Sequence, residues 1–213
     1  MKLLESTNLG AHTLKNKMVM AAMTRSRADL NGIVGNLTVE YYVQRASAGL
    51  IISEGINISQ QALGSPFTPG IYTAEQIESW KKVTNSVHEK GGIIFAQLWH
   101  TGRVGHSVDK NGVLPVAPSA IAIAGMQHFT SQGPKDFEVP KELTIEEIQQ
   151  IISEAFIGET TKYIKNIYIN DTDLNFQNVD FTKKIKLVEK LSSGILQKVL
   201  HTVSEWKSKI DTI

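Results

Sequence analysis

Residues 73–92, TAEQIESWKKVTNSVHEKGG, run directly into IIFAQL (Ile93–Leu98) and then WHTGR (Trp99–Arg103). Thr73 and Gln76 have the spacing of a capping box, so a helix begins there. Ile77, Trp80, Val83, Thr84 and Val87 recur every three or four positions and give that helix one inward face. Gly91 and Gly92 stop it. IIFAQL is a short, continuous apolar run and reads as a strand. A helix that delivers the chain into such a strand is half of a parallel βα unit.

The upstream sequence repeats the alternation. Asn16–Met23 (NKMVMAAM) is a short apolar run and reads as the first strand. Residues 36–48 read as a helix entered through Thr38, an N-cap candidate with Glu40 in the first turn. Gly49 breaks it, and Leu50–Ser53 (LIIS) is the second strand. Strand–helix–strand–helix–strand with continuous apolar strands argues for parallel βα units. Gly102–Glu142 is a long excursion bearing Gly, Pro and Ser. Thr144 with Glu147 then caps a further helix, TIEEIQQIISEAF, with Ile145, Ile148, Ile151, Ile152 and Ala155 along one side.

Composition separates the rest of the chain. All six prolines and all four arginines precede residue 141, as do 14 of the 16 glycines, whereas residues 157–213 hold nine lysines and no arginine or proline. The sequence therefore divides into 1–156 and 157–213. In the second segment Asn166–Asn170 (NIYIN) reads as a short strand. Phe181, Ile185, Val188, Leu191, Ile195, Val199, Val203, Trp206 and Ile210 form a helical stripe interrupted at Ser192–Gly194.

The chain has 213 residues, 41% hydrophobic and 20% charged, a composition that excludes disorder. Lys+Arg at 22 against Asp+Glu at 21 leaves no basic excess to hold nucleic acid. No apolar run reaches the ~18 residues of a membrane span, and MKLLESTNLGAH lacks the apolar stretch of a signal peptide, so a cytoplasmic protein is expected. Without cysteine there are no disulfides, thiol nucleophiles or thiolate metal sites. Neither GxGxxG after a strand nor GxxxxGK[ST] occurs. His100, His106 and His128 have no acidic partner at ligand spacing and read as polar loop residues, so no metal is expected.

Polar residues gather where the strands end, which is where parallel barrels keep their chemistry. The three endings are Met23-Thr24-Arg25-Ser26-Arg27, Ser53-Glu54-Gly55 and Gln97-Leu98-Trp99-His100-Thr101-Gly102-Arg103. They offer hydroxyl, amide and aromatic groups suited to a flat heteroaromatic ligand. An amide such as Gln97 both donates to and accepts from a ring edge, and Gly55 lets backbone approach a planar ring closely.

Four blocks in order, KNKMVMAAMTRSRA, LIISEGINIS, SPFTPGIYTAEQIESWKKVTNSVHEKGGIIFAQLWHTGRV and GVLPVAPSAI, resemble the old yellow enzyme family of FMN-dependent ene-reductases, or NADH:flavin oxidoreductases. The resemblance covers about residues 1–156. It implies an α/β fold: a partial (βα)8 TIM barrel of three or four units, followed by a mostly helical C-terminal tail over 157–213. It also implies FMN as cofactor, NAD(P)H as reductant and an activated alkene as substrate. By the same resemblance Ala22 (a proline in the family), Met23 and Thr24 contact the flavin, with the Thr24 hydroxyl tuning its potential. Gly55 lies beside the ring, Gln97 reads its pyrimidine edge and Trp99 stands on the substrate side. Arg25, His100 and Arg103 match architectural positions. Ser65 stands where a substrate-pocket tyrosine is usual.

Other family parts have no counterpart. The resemblance implies an HGAN-like motif after a fourth strand, yet there is no histidine between His128 and His201. The anion-stabilising pair, the tyrosine proton donor and the phosphate-binding strands are missing, so no catalytic residue is assigned. A complete barrel typically needs about 250 residues. The expectation is a truncated family member, weakly active or inactive alone. The alternative is a non-catalytic truncated or fused fragment whose helical tail serves packing or partner binding. The open barrel edges would call for a second copy or the tail to cover them.

Overall fold

The computed structural model describes residues 2–156. The expected NIYIN strand, the Phe181–Ile210 stripe and the helical tail lie outside the described residues. An antiparallel hairpin of β1 (Thr7–Leu9) and β2 (His12–Leu14) leads into β3 (Val19–Met20). Then come α1 (Asn36–Val43), β4 (Leu50–Asn57), α2 (Ala74–Glu89) and β5 (Ile94–Trp99). β3, β4 and β5 form a parallel sheet in that order, with Val19 opposite Leu50 and Ile51 opposite Ile94. β6 (Val116–Ala117), the β7–β8 hairpin (Gln127–Thr130 and Gly133–Asp136) and β9 (Lys141–Glu142) occupy the excursion before α3 (Ile145–Phe156). Among the described residues, no helix is long and apolar enough to cross a membrane.

The core lies between the sheet and its two crossover helices. Ile51, Ile56 and Ile94 from the strands meet Tyr42 and Ala46, and Ile77, Trp80, Val83 and Val87 from α2. The inward face read from the sequence is thus the buried face of α2. Thr73 Oγ1 accepts from Gln76 N at 3.3 Å and Gln76 Oε1 accepts from Thr73 N at 3.1 Å, the reciprocal cap that starts the helix. Thr144 and Glu147 make the same exchange at α3, at 3.2 and 3.0 Å.

Three expectations are corrected. The first strand is two residues long rather than the whole of 16–23, because the Asn16 side chain ties the chain down. Its Oδ1 accepts from Met18 N and Gly49 N, and its Nδ2 donates to the Ser47 carbonyl. Helix α1 is capped at Gly35 with no side-chain bond, and Thr38 is buried inside it. The second strand does not stop at Ser53. A register shift between Ile52 and Gly55 absorbs the polar residues Ser53 and Glu54, and the strand continues to Asn57.

Candidate functional site

The bulge in β4 organises the strand ends. Where the ladder is interrupted, Gln97 N donates to Ser53 Oγ at 3.0 Å, and that hydroxyl donates to the Glu54 carbonyl at 2.7 Å. A side chain thereby stands in for a missing backbone acceptor. Beyond the bulge Gly55 pairs with Gln97 and Asn57 with Trp99. The extra residue also turns Glu54 into the protein, where it is 2% exposed.

Glu54 holds the end of the first strand in place. Its Oε2 accepts from Arg25 N at 3.1 Å and its Oε1 accepts from the Tyr42 hydroxyl at 3.4 Å. The same hydroxyl accepts from Glu54 N at 2.8 Å. Burial raises the Glu54 carboxyl above the ordinary 4.5, against the opposing pull of the Arg25 amide, the Tyr42 hydroxyl and the Arg25 charge. Burial also raises the Tyr42 hydroxyl. Because the folded state holds the Glu54 proton more tightly than the unfolded one, this group makes stability fall as pH rises above 4.5 through its raised value. Glu54→Gln is expected to remove that part of the slope. Paired urea titrations across the window would show it, and parallel wild-type and variant profiles would refute it.

The sequence-derived site residues sit as follows. Ala22, Met23 and Thr24 lie just past β3, outside regular secondary structure, with Ala22 half-buried and Met23 and Thr24 exposed. Gln97 is exposed on β5. Neither the Thr24 hydroxyl nor the Gln97 amide is hydrogen-bonded among the described residues. Gly55 is buried, and the planar ring against it is the Trp99 indole: a Cβ at Gly55 would lie under 3.0 Å from that ring. Arg25 stacks its guanidinium 5.0 Å from the Tyr41 ring centre. Arg103 donates to the Ile121 carbonyl at 2.7 Å and to Ser119 Oγ at 3.0 Å.

His100 and His106 lie outside helices and strands, as expected of loop residues, whereas His128 is on β7. His100 Nδ1 accepts from Gly102 N, and His106 Nδ1 accepts from Val108 N. His128 is 6% exposed, with Nε2 2.7 Å from the Gly64 carbonyl. Sequence reasoning named Glu54 only as part of a strand ending and passed over Asn57 and Lys110. Each lies within or just beside a quoted block, and what marks it is burial, which a single sequence does not display.

A family model described as the NADH:flavin oxidoreductase / NADH oxidase family matches residues 2–162. The chain belongs to this family. Flavin oxidoreductase hxnT of Emericella nidulans is 43% identical over 154 residues, 68% of this chain and 38% of that protein. 12-Oxophytodienoate reductase 7 of Oryza sativa is 41% identical over 147 residues, 66% of this chain and 36% of that one. The old yellow enzyme homologue of Zymomonas mobilis superposes with a TM-score of 0.73 at 41% identity, over 78% of this chain and 46% of its own. This flavin oxidoreductase family member thus spans less than half the length of those relatives.

Proposed function

We propose that this chain builds the ring-edge half of an FMN site in an NAD(P)H-dependent oxidoreductase of the ene-reductase type, on the first three or four units of a (βα)8 barrel. The carrying observation is that three neighbouring strand ends present an unengaged hydroxyl at Thr24 and an unengaged amide at Gln97, on either side of Gly55. The sheet order supports the barrel: strands follow one another without the reversal that marks a doubly wound sheet. Residues 157–213 are proposed as a separate helical tail.

The donor set fits a flavin ring. Gln97 has both a donor and an acceptor for a pyrimidine edge, and Thr24 has a hydroxyl proton for a ring carbonyl. Ala22 and Met23 add apolar contact, Gly55 lines the site, and Trp99 closes the substrate side. Bound FMN supplies two-electron transfer between NAD(P)H and an activated alkene. A donor at Thr24 stabilises charge that accumulates on the atom it bonds. Glu54 keeps that donor in place through Arg25 N.

A second reading is a non-catalytic chain whose tail serves packing or partner binding, favoured by the absence of histidine between His128 and His201. Titration with FMN, followed by flavin fluorescence, tests the first. Quenching is expected, weakened about fivefold by Thr24→Ala or Gln97→Ala, the equivalent of one net hydrogen bond. No quenching overturns it. Turnover of 2-cyclohexen-1-one with NADPH by the chain alone would overturn the second.

A further inference from the structure

Asn57 ends β4 and is 1% exposed. Its backbone is fixed on both sides: its N–H donates to the Pro69 carbonyl at 2.8 Å, and its carbonyl accepts from Ile71 N at 3.1 Å. Its side chain is equally constrained. Oδ1 accepts from Trp99 Nε1 at 2.8 Å, while Nδ2 donates to Thr68 Oγ1 at 3.0 Å and to the Pro69 carbonyl at 2.9 Å. An indole N–H only donates and a carbonyl only accepts, so the amide sits one way round. Thr68 Oγ1 passes the chain of bonds on to the Ser65 carbonyl at 2.7 Å.

Two torsions orient an indole. The Asn57 bond holds the Nε1 edge of Trp99, and Gly55, with no side chain, lets the fused centre of the ring (Cδ2, Cε3 and Cε2) lie against its backbone. Together they leave the ring one position at the mouth of the β4–β5 pair, two residues from Gln97.

We propose that Asn57 is the positioning residue that locks Trp99 as a fixed wall of the site and so sets which substrates pass. The selectivity part rests on the flavin reading above; the positioning part does not. Freed from Asn57, the indole would swing off Gly55 and widen the mouth. Slim substrates would lose a packed wall and bulkier ones would gain room.

The test is hydrogen exchange of the indole N–H groups by NMR in the full chain, with Trp99→Phe to assign the resonance. Trp80 Nε1 donates to the Gly70 carbonyl and serves as the internal control for folding. Slow exchange is expected at Trp99 in the wild type. Asn57→Leu should speed it about tenfold or more, by loss of a buried hydrogen bond, with Trp80 unchanged. Asn57→Asp keeps an acceptor and should restore slow exchange. Free-indole exchange at Trp99 in the wild type, or no change in Asn57→Leu, overturns the proposal. If Asn57→Leu also frees Trp80, the Asp variant decides: fast Trp99 exchange there with Trp80 still slow overturns it. In flavin-loaded protein, Asn57→Leu should raise the Kd of 2-cyclohexen-1-one about fivefold relative to a bulkier ring-substituted enone, one net hydrogen bond's worth. An unchanged ratio with altered exchange leaves Asn57 positioning the ring and overturns the selectivity part. Failure of FMN to bind sinks the flavin reading while the exchange result stands.

Discussion

Alanine at Gly49 is expected to destabilise the chain by about 2–4 kcal/mol, from the middle of the usual range of overpacking effects to somewhat beyond it. The urea midpoint should fall accordingly. Gly49 sits where β4 begins, and an added Cβ would collide with the backbone carbonyl of Asn16. A flexible side chain could yield to such a contact, but this carbonyl cannot. The Asn16 side chain already bonds Gly49 N at 2.8 Å, Met18 N at 3.1 Å and the Ser47 carbonyl at 2.9 Å. Relief must come from moving β3 away from β4, and their pairing is only Val19 with Leu50 and Met20 with Ile51. Displacing β3 carries Met23 and Thr24 with it, so FMN quenching should disappear together with stability. A midpoint within about 0.5 kcal/mol of wild type, the range of an ordinary surface change, would show that the joint is loose.

That joint also shows where sequence reading reaches its limit. Helix α2 was legible because its signals are local: Thr73 and Gln76 are three residues apart, and the buried face repeats within one helix. The parallel order of the three strands followed from their apolar runs. The length of β4 was not legible, since its continuation depends on Ser53 accepting from Gln97 N across 44 residues. The short β3 likewise depends on Asn16 reaching Gly49, 33 residues on. In the excursion the β7–β8 hairpin hides behind Gln127, Pro134 and Lys135, which carry no strand signal, although its arms pair from Gln127 with Asp136 to Thr130 with Gly133. That the strands carrying the candidate residues are neighbours was legible. What lies against Gly55 was not: a glycine announces a close approach, and only the fold shows that the Trp99 indole makes one.

Lys110→Met should stabilise the chain at pH 7 by on the order of 3 kcal/mol, an increase where most substitutions in a folded interior cause a loss. Lys110 is 1% exposed, and its Nζ has no hydrogen-bond partner among the described residues. Burial lowers its ammonium from the ordinary 10.5 to about 8, with Glu138 pulling weakly the other way. The Glu138 carboxylate is already taken by Ser107, through N and Oγ at 2.6 Å each. Nearby, burial and then the Lys110 charge lower the His100 imidazole below its ordinary 6.5. The unfolded chain binds the Lys110 proton more tightly than the folded one, so wild-type stability should rise between pH 8 and 10.5. Below that window the full penalty of a buried cation remains. Methionine keeps an unbranched chain, one heavy atom shorter, and removes the charge. The variant's advantage should therefore be largest at pH 7, shrink through pH 8–10.5 and vanish above it, read as the difference between paired urea midpoints. An advantage that does not change with pH would assign the gain to packing alone. A loss at pH 7 would mean that the ammonium has a partner worth more than its burial penalty.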